Sequence, residues 1–181
     1  VPIGGFTPEA FFPRSGFSIK GIRAPSRIYK ENNLKRSDLR REGAWMMEHR
    51  VVVHFRDGEI VKGRTFDFTP TKDSFHVTTL KDHKHIVTVF TSLIKAVFFV
   101  KNFSGNKNHE THEEFSMENF KFDDASLKIR VDFLDGEVMY GMTNGYSPNR
   151  KGFFIFPADK KTNNARVFVI TEATASVKTW R

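Results

Sequence analysis

The sequence predicts a mainly β protein, built as two small five-stranded barrels in tandem behind an N-terminal arm of coil or short helix. Three observations carry that prediction. Segments recur at an offset of 78 residues, each copy alternates apolar and polar residues with a period of two, and an Asp-Gly turn sits at the same place in both copies. With 181 residues, 39% of them hydrophobic, the chain has enough apolar material for two small cores, which excludes a disordered tail. Twenty Phe against three Tyr and two Trp suit apolar interiors better than polar recognition.

Residues 1–47 form the arm. Pro2, Pro8, Pro13 and Pro25 exclude one regular element across its first 30 residues. From Ser37 to His49 a short helix fits, with Ser37 as N-cap and Leu39, Trp45 and Met46 as its apolar residues, although Gly43 opposes it. Residues 1–43 hold nine basic and four acidic side chains, so more than half of the net charge of +8 belongs to the arm. A basic arm attracts phosphates, acidic proteins or anionic membrane surfaces through unspecific electrostatics.

The first barrel spans 48–104. Val51, Val53 and Phe55 alternate with Val52, His54 and Arg56, as in a strand with one buried face. Asp57-Gly58 then signals a type I′ hairpin turn, and Gly63 marks a strand that bends or admits a bulge. Further strands are expected at Ser74–Thr79, His85–Phe90 and Lys95–Lys101. Residues 105–125 read as an acidic linker. The second barrel, 126–181, repeats the pattern: Ile129, Val131 and Phe133 alternate with polar neighbours, Asp135-Gly136 is the turn and Gly141 the bend. Strands follow at Gly152–Phe156, Arg166–Ile170 and Ser176–Trp180. Within the repeat, Phe55, Phe75 and Phe90 are expected to return as Phe133, Phe153 and Phe168. Five short strands with a bent second strand describe an SH3-like barrel, in which closure removes exposed edges. An isolated barrel this small buries little surface, so the two are expected to pack together.

These residues resemble known families. Val53, Phe55, Gly58 and Gly63 followed by Phe66-Asp67, with Leu93-Ile94-Lys95-Ala96-Val97 as closing strand, look like the pattern of Sm-like domains, which implies a site for RNA. The paired Asp-Gly-Glu segments and the stretch Gly152–Val169 are similar to a bacterial domain family without assigned chemistry, whose members occur in signalling proteins; that likeness covers about residues 50–180. Arg36 and Arg40 with Arg41, followed 27 residues after Arg40 by Asp67 and Thr69, resemble the PilZ family. The PilZ likeness implies a cyclic-di-GMP site in which Arg forks clamp phosphate while Asp67 and Thr69 read a base edge. Lys72 stands where that family has Gly, and Gly145 replaces the acidic position in the second copy.

A second candidate cluster is the loop carrying Tyr146, Asn149, Arg150 and Lys151, which combines a ring for stacking with cations for phosphate. His83 with His85, and His109 with His112, lack the spacing of a zinc site, and the chain has no Cys, so no metal and no cofactor is expected. Glu59 and Glu137 belong to hairpin tips, and no nucleophile–base pair, phosphate-cradling Gly loop or dinucleotide fingerprint occurs. The resulting expectation is a non-enzymatic binding or regulatory protein. A protein is its first expected partner, a cyclic dinucleotide or RNA the alternatives, and self-association stays open. The longest apolar run, Ala96 to Val100, is too short to span a bilayer, and no basic start followed by an apolar segment marks export. The expected compartment is the cytoplasm.

Overall fold

The structure, a computed structural model, describes residues 47–81, 85–105, 126–159 and 161–181. The arm, with its expected helix up to residue 46, and most of the acidic linker lie outside the described residues, as do His83, His109 and His112. The strands in chain order are β1 (His49–Phe55), β2 (Ile60–Thr65), β3 (Ser74–Thr79), β4 (Ile86–Phe90), β5 (Ile94–Val100), β6 (Leu127–Phe133), β7 (Val138–Thr143), β8 (Gly152–Pro157), β9 (Asn164–Ile170) and β10 (Thr174–Trp180). Two single 3-10 turns, Thr91–Leu93 and Thr171–Ala173, supply the helical content of the described residues. No helix among them is long and apolar enough to cross a membrane.

All ten strands join one antiparallel sheet in the order β10-β6-β7-β8-β9-β5-β1-β2-β3-β4. Two separate closed barrels are therefore corrected to one open sheet. The cause lies in β5, which pairs with β1 on one side and with β9 on the other, so the ladder runs from the first five strands into the second. Every residue of β5 is buried. Its Ile94, Val97 and Phe99 enter one core with Val51, Val53, Phe75 and Val89, while Ala96, Phe98 and Val100 enter another with Val131, Phe133, Phe153 and Val167. Strand β9 is likewise shared, since Phe168 and Ile170 join the first core, Val167 and Val169 the second. A lone first barrel would leave Phe98 facing water, and its burial contributes on the order of 2 kcal/mol. By contrast β10, at one end of the sheet, carries Ser176, Lys178 and Thr179 and is partly exposed, as suits an edge strand.

The strand bounds of β6, β7 and β8 follow those of β1, β2 and β3 by 78 residues. From β4 onward the correspondence moves to 80, because Val77 faces Val87 where Ile155 faces Val167. The counterpart of Phe90 is thus Ile170, and that of Phe168 is Thr88, which corrects the expected Phe90–Phe168 equivalence. The two extra residues lie at the start of β9, which is seven residues long against five in β4, since the connections 80–85 and 158–163 are equal in length.

Two turn expectations also change. Gly58 and Gly136 have φ of +91° and +87°, yet no non-glycine residue described has positive φ, so Asp57 and Asp135 do not form type I′ turns. Instead the Gly58 amide donates to Phe55 O at 3.2 Å and the Phe55 amide to Glu59 O at 2.9 Å, the pattern of a three-residue loop ending in a left-handed Gly. Asp57 Oδ1 accepts the Glu59 amide at 3.0 Å and fixes the loop, and Asp135 does the same for Glu137 at 3.2 Å. At Gly63, where the sequence predicts a bend or a bulge, the β1–β2 register runs on unbroken from His49 to His54, so no bulge forms there. The extra residue is Lys95: His54 faces Ala96 and Phe55 faces Ile94, and the bulge turns Lys95 out of the alternation of β5.

Candidate ligand cleft between the two halves of the sheet

Redirected in this way, the Lys95 ammonium donates to Asp135 Oδ2 at 2.6 Å and to Glu137 Oε2, and lies 4.3 Å from the centre of the Phe133 ring. The hydrogen bond from Lys95, with help from the Glu137 amide and against some desolvation, holds the Asp135 carboxyl below its usual range. Arg56 reaches Glu172 at 3.2 Å, and Lys151 pairs with Asp73. Three cross-links of charge therefore bind the first five strands to the second five.

Beside this seam the β2–β3 loop reaches across. Phe68 stands edge-on to Phe75 at 5.0 Å and to Phe99 and Phe168 at 5.3 Å each, and Phe154 meets Phe168 at 5.1 Å. The Arg166 guanidinium covers Phe99 and Phe154, 4.5 and 4.8 Å from their ring centres. Against this aromatic wall opens a cleft of about 640 Å³. Pro70 and Thr71 line it from the first half, and Arg150 and Lys151 from the second. Thr143, Asn144, Gly145, Phe154, Phe156 and Phe168 supply much of the remaining lining. Its lining is mostly apolar with a few polar groups, and it opens to solvent.

The expected site residues distribute unevenly around this cleft. Arg36, Arg40 and Arg41 lie outside the described residues. The Asp67 carboxylate is occupied within its own half: Oδ1 accepts the His76 amide at 2.9 Å and the Thr65 hydroxyl at 3.3 Å, and Oδ2 lies 2.7 Å from His76 Nδ1. Burial pushes its pKa up, but the side-chain and backbone hydrogen bonds from His76, the charge of His76 and the Thr65 hydroxyl outweigh burial and hold it low. Stability contributed by a carboxylate of this kind is present above the unfolded pKa of about 4 and is lost as pH falls through the lower folded value. Thermal melting against pH should therefore show a steeper acid loss in the native chain than in Asp67→Asn; superimposable curves would remove Asp67 from this role.

Thr69 Oγ1 is buried without a hydrogen-bond partner. Since an unsatisfied hydroxyl costs about 1–3 kcal/mol, Thr69→Val should raise the urea midpoint, and an unchanged or lower midpoint would count against this account. Tyr146 packs its ring edge-on against Phe153 at 4.8 Å, partly buried against the second core, in the place that Phe68 holds in the first half. Asn149 is exposed and does not line the cleft. Of the six described candidates, only Arg150 and Lys151 do so. Sequence reasoning missed Thr143, Gly145, Phe154, Phe156 and Phe168. The available signal was the exchange, at the offset of 78, of Asp67 and His76 for Gly145 and Phe154.

The chain belongs to the family of unknown function DUF6982, which matches residues 47–180. Its description assigns no activity. No curated protein and no solved structure matches the chain. The DUF6982 match covers every strand of the sheet and both sides of the cleft, and begins just after the basic arm.

Proposed function

We propose that this chain is a non-enzymatic binding or regulatory protein that takes a small ligand in the cleft between the two five-stranded halves of its sheet. The observation that carries this reading is the cleft itself, a space lined by phenylalanines and by Arg150 and Lys151, with walls drawn from both halves. A seam site couples ligand binding to the relation between the halves, which suits a regulatory part in a larger assembly or with a protein partner in the cytoplasm. The PilZ-type reading needs an Asp67 carboxylate open to a guanine edge, and its hydrogen bonds to His76 and Thr65 weigh against that. The RNA reading needs Tyr146 free for stacking, and its packing on Phe153 weighs against that.

Amide NMR titration of the full chain with the neutral aromatic 2-naphthamide tests the proposal. Shifts clustered at Gly145, Gly152 and Phe154 are expected. Their absence there, or shifts with cyclic-di-GMP centred on Asp67–Thr69, would overturn it.

A further inference from the structure

The two halves treat one position in opposite ways. In the first, a carboxylate, that of Asp67, sits at the end of β2 and accepts from Thr65 Oγ1 and from the amide of His76. In the second, the corresponding residues are Thr143, Gly145 and Phe154. Thr143 keeps its hydroxyl, 1% exposed as a residue and on the wall of the cleft, but the carboxylate has become Gly145. Thr143 Oγ1 accepts the Gly145 amide at 3.3 Å, which leaves its proton to be donated elsewhere. Phe154 faces Phe168 across the ladder as His76 faces Thr88, so its amide points the same way as the amide that Asp67 accepts. The imidazole that flanks Asp67 is exchanged for the phenyl ring of Phe154, and the cations are instead Arg150 and Lys151 in the lining.

We infer that the cleft binds an organic anion with an apolar or aromatic body, and that the ligand's carboxylate takes the position filled in the first half by the side chain of Asp67. The Thr143 hydroxyl and the Phe154 amide donate to it, Arg150 supplies charge, and the body lies on Phe154, Phe156 and Phe168. Donors aimed at a common point in a mostly apolar cleft discriminate strongly for the group that satisfies them. Space around Gly145 agrees with this, since a Cβ built there meets nothing within 4 Å.

This inference rests on the cleft being the binding site, and the test separates the two. The probes are 2-naphthoate and its isosteric neutral amide, titrated into the full chain and read by amide NMR at Gly145 and Phe154. The carboxylate should bind about tenfold or more tightly than the amide. Gly145→Asp, which returns an internal carboxylate to this position, should abolish that preference. Thr143→Val, close in shape but without the donor, should also reduce the preference and serves if Gly145→Asp does not fold. Equal affinities in the native chain, or a preference that survives Thr143→Val, would overturn the carboxylate inference and leave the cleft reading standing. Failure of both probes to shift these amides would overturn the cleft reading and the inference with it.

Discussion

Changing Asp135 to Asn and Glu137 to Gln together will destabilise the chain by about 3 kcal/mol, far more than the loss of two surface carboxylates would suggest. The two acids are about half exposed, 56% and 47% by side chain, and would individually tolerate neutralisation. Their common partner does not share that exposure, since the Lys95 side chain is 7% exposed beside the Phe133 ring. Removing the acids leaves an uncompensated ammonium in an apolar seam, and that desolvation penalty is the source of the effect. It follows that Lys95→Met, added to the double variant, should recover most of the loss, because the methionine fills the same channel without a charge. Urea unfolding of the four members of this cycle measures it directly. A double variant within about 0.5 kcal/mol of the native chain, or no recovery on adding Lys95→Met, would show that the seam does not depend on this cluster.

That cluster also marks the boundary of what was readable from sequence. Period-two alternation at Val51–Phe55 and Ile129–Phe133 locates β1 and β6 because each has one buried face, and alternation is the imprint of such a face. The run Ala96–Val100 is apolar on both faces, and this was the sequence sign that β5 lies between two cores. Read as a bilayer test it excluded a span and yielded nothing more; read as a double-sided strand it points to a partner on each side. The β5–β9 pairing itself was not legible, since strand partners depend on edges left open elsewhere in the sheet. The same limit applied to the cleft. Arg150 and Lys151 stand out by charge, which sequence shows, whereas Thr143, Phe156 and Phe168 belong to β7, β8 and β9 and line the site only because the fold sets those strands beside it. Type and spacing point to Asp67 as a ligand residue, whereas its commitment to His76, nine residues later, comes from the β2–β3 corner.

Gly63→Ala and Gly141→Ala are expected to be among the most damaging single-methyl changes in the described sheet, together with Gly152→Ala, whose Cβ would stand 2.4 Å from the Val169 carbonyl oxygen, and at the first two the reason is the geometry of that corner. Strands β2 and β3 share two paired positions, Gly63 with Thr79 and Arg64 with Thr78, and β7 and β8 likewise share two. At Gly63 an added Cβ would stand 2.2 Å from the carbonyl oxygen of Thr78 and 2.5 Å from Val77 Cγ1; at Gly141 it would stand 2.4 Å from both Ile155 Cγ2 and Phe156 O. A carbonyl held in a sheet cannot rotate aside as a side-chain tip can, so relief requires parting the two strands. The expected cost is about 3 kcal/mol or more for either variant, at the upper end of overpacking. Two other glycines calibrate the claim. Gly58→Ala meets no atom within 4 Å but must hold φ near +91°, which costs roughly 1–2 kcal/mol. Gly145→Ala meets no atom and carries no positive φ, and should be close to neutral. Urea midpoints for the four variants should fall in that order, with Gly63→Ala and Gly141→Ala lowest. Should either of those two lie within about 1 kcal/mol of the native chain, the close approach of the strands would not be what requires glycine there. Since Gly141 leads into Thr143 on the wall of the cleft, that corner also sets where the Thr143 hydroxyl stands, and strain at Gly141 should weaken 2-naphthoate binding before the chain unfolds.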